Sequence, residues 1–351
     1  MLRLRSMEPL PTNPFPMSHV TPLPEDHHAA VFSLDSGRRL RDPICEHLGI
    51  SPGKHEERTF DDGEHKIRPL QSVRDQDVYL VESLYSNNAL SVNDKLVRTL
   101  FFLAAMRDAG AERVTLIAPY LCYARKDRRT KPRDSVSIRY LATVLESMGL
   151  DRVATMDVHN PAAYENAFRI PAEHLTAAPL FVDSVVPLIG DREVVVVSPD
   201  AGGAKRAEGF RQRLDERLGR SVPLVFIEKF RSEDAVWGGT VVGDVKNRVA
   251  ILLDDLISSG TTLAEAATAC REHGATAVYA AVTHGVFSSG ANQTLDDPAL
   301  ERLVFLDTLP PARLAPNVRE RRAEVLSCAP LLAGAIQRLH TGGSLVELSG
   351  L

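Results

Sequence analysis

Two carboxylates, Asp254 and Asp255, follow five apolar residues, Val249 to Leu253, and shortly precede a small hydroxyl-rich turn, Ser258-Ser259-Gly260-Thr261-Thr262. The apolar run reads as a buried parallel strand. The segment after Thr262, LAEAATACREHG, reads as a helix stopped at Gly274. A strand, a tight turn and a helix N-terminus make an anion cradle, because N–H groups and hydroxyls converge there and the helix dipole favours negative charge. A monophosphate suits the turn, and two acids just before it suit sugar hydroxyls as acceptors. The stretch therefore reads as a ribose 5-phosphate site. Two acids at a strand end are also often only solvated or capping a helix; here the order of acid pair, small-residue turn and helix start favours the ligand.

Other stretches carry chemistry of the same kind. Tyr120 and Tyr123 are interleaved with Arg125, Lys126, Asp127 and Arg128 in a basic loop that continues through Arg129, Lys131 and Arg133. Composition alone leaves this loop open as a solvated surface or a nucleic-acid-facing patch. Asp157 and His159 stand two apart at the end of an apolar run, a spacing that points both to one side of a strand and lets them serve one cation; a structural histidine is the competing reading. Ser198-Pro199-Asp200-Ala201-Gly202-Gly203 follows four valines, and a glycine pair opening a helix admits an oxyanion closely. Its spacing is not that of a GxxxxGK[ST] loop. Lys229 and Arg231 fall on one side of an extended stretch ahead of Trp237-Gly238-Gly239, an arrangement suited to a glycine-hinged lid over phosphoryl transfer. Phe60-Asp61-Asp62-Gly63-Glu64 reads on its own as an ordinary turn.

These residues need a frame that brings distant segments together. From Ala29 onward, apolar runs alternate with amphipathic ones. Strands are expected at 30–34, 77–83, 113–119, 152–158, 193–198, 222–228, 249–253, 277–283 and 303–306, with helices at 92–109, 137–148, 204–218 and 263–273. That alternation predicts an α/β protein with parallel sheets covered on both faces, whose ligands collect beyond the carboxyl ends of the strands. Asp157, His159, Asp200, Lys229, Arg231, Asp254 and Asp255 all fall at such ends.

A length of 351 residues fits two domains. The expected division is a mobile, proline-punctuated extension over 1–28, a first domain over 29–175, a second over 176–325, and a terminal segment, 326–351, that packs back on the first. The pair His27 and His28 reads as part of the solvated extension rather than as a metal site. Hydrophobic residues at 44% and charged residues at 25% describe a soluble globular chain. A net charge of −5 argues against a whole-chain nucleic-acid binder. Four scattered cysteines without CxxC spacing indicate a reducing compartment, hence a cytoplasmic protein, and no structural zinc. No apolar run approaches the roughly 20 residues that span a bilayer.

Taken together, these elements resemble the ribose-phosphate pyrophosphokinases (phosphoribosyl diphosphate synthases) from about Val31 to the C-terminus. The acid pair and turn resemble that family's phosphoribosyl-diphosphate loop, with Ser258 at a frequent Asp and Thr261 at a usual Gly. Phe60 to Glu64 resembles its Phe-x-Asp-Gly-Glu element, 119–128 its Pro-Tyr-x-x-Tyr-Ala-Arg-Gln-Asp-Arg with Lys126 at the Gln, 157–159 its Asp-Leu-His, 199–206 its Pro-Asp-x-Gly-Gly-x-x-Arg, and Lys229-x-Arg231 its catalytic loop. The resemblance implies a tandem pair of phosphoribosyltransferase-like domains, each a mainly parallel sheet flanked by helices, in a homo-oligomer from dimer to hexamer. It implies that Phe60 stacks on an adenine across a subunit contact, that Asp62 and Glu64 accept hydrogen bonds from the nucleotide, and that Arg125, Lys126 and Asp127 meet ATP. It implies that His159 and Asp200 hold magnesium.

The implied reaction is transfer of the β,γ-diphosphoryl group of ATP to the 1-hydroxyl of ribose 5-phosphate, with AMP leaving and Lys229 and Arg231 stabilising the transferring charge. The competing readings are a non-catalytic synthetase-associated subunit, a phosphoribosyltransferase and, last, a nucleic-acid binder using the 125–133 patch. Retention of Lys229, Arg231, His159 and Asp200 weighs against the first, and two βα sets weigh against the second.

Overall fold

A computed structural model describes residues 20–24, 28–232 and 235–349, with the backbone alone at 229–232, 235–239 and 349. Two parallel sheets carry it. In the first, strands β1 (Ala29–Phe32), β4 (Asp77–Val81), β5 (Arg113–Ile117), β6 (Arg152–Met156) and β7 (Ala172–Leu175) lie side by side in that order. Between β1 and β4 the chain makes a short 3-10 turn (Asp35–Gly37), helix α1 (Arg38–Leu48), and an antiparallel ribbon of β2 (His55–Thr59) and β3 (His65–Pro69) that stands apart from the sheet. Helices α2 (Val92–Asp108), α3 (Ser137–Ser147) and α4 (Pro161–Ala167) fill the later crossovers.

Helix α5 (Ala178–Ile189) leads into the second sheet. Its strands are β8 (Val194–Ser198), β9 (Leu224–Ser232), β10 (Ala235–Val242), β11 (Val249–Ile257), β12 (Ala277–Gly285), β13 (Arg302–Leu306) and β14 (Ala323–Leu326), in the spatial order β10-β9-β8-β11-β12-β13-β14. Only the β9–β10 pair is antiparallel. The helices here are α6 (Ala204–Leu218), α7 (Thr261–Glu272), α8 (Ala291–Leu295), α9 (Pro316–Arg322), α10 (Ala329–Thr341) and α11 (Leu345–Ser349).

Strand alternation divides the buried residues among three cores. Val31, Tyr79, Ile117, Val194, Val196 and Ile251 share one core with α1, α5, α6 and α10, so the facing sides of both sheets are packed as a unit. Phe32, Val78 and Leu80 turn the other way onto α2 and α3, while Val195, Val197 and Leu252 turn onto α7. Strands buried on both faces read as continuous apolar runs, which is why Val194–Val197 is legible without any periodicity. Each such side chain contributes roughly 1.5–3 kcal/mol by leaving water.

Two expectations are corrected. Residues 20–24 were expected in a mobile extension, but Leu23 is buried in the shared core, its amide donates to the Leu48 carbonyl (3.0 Å), and the Thr21 carbonyl accepts from Gln337 (2.5 Å). An apolar side chain opposite the open end of α1 is enough to tether the segment. Residues 1–19 and 25–27 of that stretch, His27 among them, lie outside the described residues. The glycine-hinged loop after Arg231 is a hairpin strand, β10, whose register shifts between Trp237 and Thr240. The four cysteines are free and buried. No helix among the described residues is long and apolar enough to cross a membrane.

Candidate active site

The acid pair lies inside its strand rather than after it. β8 pairs with β11 only as far as Leu252, whereas β12 follows it to Ile257. From Leu253 onward one edge of β11 is unpaired, and Asp254 and Asp255 stand there. The strand then turns through Ser258 and Ser259 into α7. Gly260 has a φ of +81°, which favours glycine, and a Cβ on it would also sit tightly against Leu295 at 3.0 Å. Thr261 opens α7 without a positive φ, so its side chain is accommodated there. Ser259 Oγ and Thr261 Oγ1 lie 3.0 Å apart, and Ser258 Oγ donates to Ser288 Oγ at 3.3 Å. Ser259, Gly260, Thr261 and Thr262 thus surround the N-terminus of a twelve-residue helix.

His159 reaches the acid pair from the other sheet. Its Nδ1 donates to Asp255 Oδ2 at 2.9 Å, although the two residues are 96 positions apart. Arg206, from the first turn of α6, lies 3.4 Å from Asp255 Oδ1 and 3.8 Å from Asp254 Oδ1. Asp254 Oδ1 also accepts from the Asp255 amide (2.8 Å). These contacts split the pair electrostatically. Burial works against the charge of Asp255, but His159 and Arg206 more than offset it and hold its pKa well below the usual carboxylate range. Burial, followed by the Asp255 charge, pushes Asp254 up. The hydrogen bond to Asp255 in turn raises His159. One carboxylate is fixed as an anion and its neighbour retains a proton more readily.

Asp157 does not share a cation with His159. Strand β6 ends at Met156, Asp157 takes a φ of +34°, and the alternation that would align the two is broken. Asp157 turns inward instead, where Oδ2 accepts from Thr283 Oγ1 (2.6 Å) and the Ala177 amide (3.0 Å). His284, also fully buried, donates from Nε2 to the Met156 carbonyl (3.0 Å), with Nδ1 2.9 Å from Thr308 Oγ1. Burial lowers His284, so the ring is neutral and that nitrogen accepts. These bonds join the carboxyl ends of β6 and β12 and form the floor of a cleft lined also by Tyr120, Arg125, His159 and Asp255.

The basic loop is divided in its use. Arg125 lines the cleft. Asp127 Oδ2 accepts from Asn160 beside His159 (2.6 Å). Lys126 Nζ is bound to Asp134 (2.9 Å), which ties the loop to itself.

Residues 29–149 match the N-terminal domain of ribose phosphate pyrophosphokinase, and residues 235–349 match the phosphoribosyl synthetase-associated domain. The ribose-phosphate pyrophosphokinase of Hyphomonas neptunium is 36% identical over 91% of this chain and 98% of its own length. Ribose-phosphate pyrophosphokinase 1 of Streptococcus pyogenes is 38% identical over 88% of this chain and 94% of its own. This chain belongs to the ribose-phosphate pyrophosphokinase family. The crystal structure of phosphoribosylpyrophosphate synthetase from Mycobacterium smegmatis matches with a TM-score of 0.79 at 33% identity, covering 90% of this chain and 99% of that one. The architecture is accordingly the family's tandem pair of phosphoribosyltransferase-like domains.

Within that family fold, some expected site residues lie away from the cleft in the single chain. Phe60, Asp62 and Glu64 occupy the tip of the β2–β3 ribbon, where the Arg58 guanidinium sits 4.9 Å from the Phe60 ring centre and Asp62 Oδ1 accepts from the Glu64 amide (3.0 Å). Asp200 is exposed, and its Oδ1 accepts from the Gly203 amide (2.9 Å) at the start of α6. The backbone of Lys229 and Arg231 lies on β9; their side chains are outside the described residues.

Arg206 closes the 199–206 run but was given no role from the sequence, and His284 was not singled out. Arg206 falls in the first turn of a predicted helix just after Asp200, and His284 follows immediately upon a predicted strand. Position at a strand end or helix start was the available signal, but nothing local announces that Arg206 reaches both acids.

Proposed function

We propose that this chain is a catalytically active ribose-phosphate diphosphokinase, which transfers the β,γ-diphosphoryl group of ATP to the 1-hydroxyl of ribose 5-phosphate. The observation that carries the reading is the anionic Asp255, pinned by His159 from the first sheet and by Arg206 from helix α6, shortly before the α7 N-terminus. In the reaction, the ribose O1 attacks the β-phosphorus, the bond from that phosphorus to the α,β-bridging oxygen breaks, and AMP leaves while the 1-hydroxyl proton is released.

Residues 258–262 suit the 5-phosphate, with α7 amides as donors. Asp255 suits the ring hydroxyls as an acceptor, and Asp254, pushed towards its protonated form, adds a donor. Arg125 at the cleft wall suits a phosphate oxygen, and Asp127 with Lys126 shapes that loop. Phe60, Asp62 and Glu64, remote from the cleft in one chain, suit an adenine bound across a subunit contact, which calls for a homo-oligomer. Lys229 and Arg231 are assigned the stabilisation of charge on the transferring group.

His159 and Asp200 fit a divalent cation. His159 is bound only through Nδ1 and Asp200 only through Oδ1 and its main-chain carbonyl, so each retains a ligating atom with no partner among the described residues. When bound there, magnesium, which keeps several waters and takes phosphate oxygens readily, would neutralise the polyphosphate charge. The domain division at 29–175 and 176–325, with 326–351 returning to the first domain, and a cytoplasmic location belong to the same reading. Hydrogen bonding of His340 Nδ1 to Asp77 (2.9 Å) supports that return.

The test is AMP release from ATP by the pure protein. Release should require both magnesium and ribose 5-phosphate; no AMP under those conditions would overturn the reading in favour of a non-catalytic subunit.

A further inference from the structure

A second group of metal-ligating side chains lies at the root of the β2–β3 ribbon, apart from the cleft. Asp35 follows β1, His55 and Glu57 are on β2, and His65 is on β3. One ligating atom each from Asp35, His55 and Glu57 lies within 4.8 Å of the others. The histidines are buried, with side-chain exposures of 2% for His55 and 6% for His65, the latter equal to that of Glu57. Neither His55 Nε2 nor either nitrogen of His65 makes a hydrogen bond among the described residues. Such nitrogens cost on the order of 1–3 kcal/mol each when buried without a partner.

From this geometry we propose that Asp35, His55 and Glu57 form a binding site for a divalent ion of the zinc type, with one coordination position open to solvent. At metal–ligand lengths of about 2.0–2.2 Å, neighbouring ligands of a tetrahedral ion are roughly 3.3–3.5 Å apart. His55 Nε2 lies 3.4 Å from Asp35 Oδ1 and 3.9 Å from Glu57 Oε2. The surroundings are those of a ligand set held from behind. Arg98 donates to Glu57 Oε1 at 2.8 Å and His65 Nε2 lies 3.3 Å from the same oxygen, while Oε2 accepts from the Asp35 amide (2.8 Å) and keeps a second lone pair on the side of His55. Phe102 packs against the His55 ring at a centroid distance of 5.4 Å and fixes its plane. Arg38 occupies Asp35 Oδ1 (2.5 Å), but both partners are more than half exposed, and such a pair is worth little against a metal bond.

An imidazole nitrogen in the set selects a borderline ion over magnesium, which prefers oxygen throughout. The consequence is mechanical. The ion joins the segment after β1 to the base of the ribbon whose far end carries Phe60 to Glu64, so it would fix the direction in which that tip projects. Nothing in this site depends on the reaction assigned to the cleft.

The experiment is a cobalt(II) titration of the full chain carrying His159→Ala, with excess magnesium present, so that the imidazole of the cleft is removed. Bound cobalt is read from its visible absorption and counted per chain after dialysis. One equivalent is expected, displaceable by zinc. Asp35→Asn, a change at an exposed position that leaves the core intact, should weaken binding about tenfold or more, as should His55→Gln. Absence of saturable binding, affinity unchanged by Asp35→Asn, or binding lost only when His27 and His28 are both changed to Ala would each overturn the proposal.

Discussion

The cleft and the root of the ribbon use the same three kinds of side chain and reach different electrostatic states. In the cleft, His159 is half exposed and bonded to an anion, and its pKa is raised. At the ribbon root, burial, reinforced by Arg98, lowers His65. Glu57 resembles Asp255: burial works against its charge, yet the imidazole, the Asp35 amide and Arg98 more than offset it and hold it at about 2. What differs is completeness. The cleft satisfies the imidazole nitrogen that faces its acid and has a helix mouth beside it. The ribbon root holds imidazole nitrogens 3.3–3.9 Å from a carboxylate without a formed hydrogen bond. The first arrangement is prepared for a substrate rich in hydroxyls and phosphate, the second for an ion.

Substitutions should separate the two. The largest effect is expected for Asp255→Asn, which removes the anion shared by His159 and Arg206. Its kcat/KM for ribose 5-phosphate should fall on the order of 10²–10³-fold, measured by steady-state kinetics. A fall below tenfold would reduce the acid pair to a structural link between sheets. Glu57→Gln should act on stability instead. It leaves Arg98, whose side chain is 13% exposed, without its carboxylate, at a cost of about 1–3 kcal/mol in a denaturant titration. No change in midpoint would mean that the ribbon root is not a stabilising contact.

The smallest effect is a pH dependence. Because bonding to Asp255 raises His159 above its ordinary value of 6.5, its stabilisation is fully present below that value. It is then lost as pH rises through the higher folded-state value. The exposed half of the ring is screened, so the loss should be no more than about 1 kcal/mol. Comparing wild type with His159→Gln across that window should show the two stabilities converging as pH rises; a constant difference would contradict the assigned pairing.

Legibility from sequence followed the same division. Helix 204–218 was readable at both ends and Val194–Val197 as a strand, because apolar burial is written locally. The ribbon was not: HEERT and HKIRP carry charge along both faces and pair only with each other. The AEHL strand at the edge of the first sheet is short, and α1 contains Pro43 among charges. In the cleft, residue types announced Asp254, Asp255 and the turn. The partnership of Asp255 with a histidine 96 residues away is a property of two sheets meeting, which no window of sequence contains.

The most direct measurement follows the phosphorus itself. ATP labelled at the β-phosphate is incubated with ribose 5-phosphate and magnesium, and the products are separated. The account predicts label in a diphosphate ester of the sugar and unlabelled AMP, with both products falling together in Asp255→Asn. Label recovered in ADP, or a sugar product that forms equally well without Asp255, would contradict it.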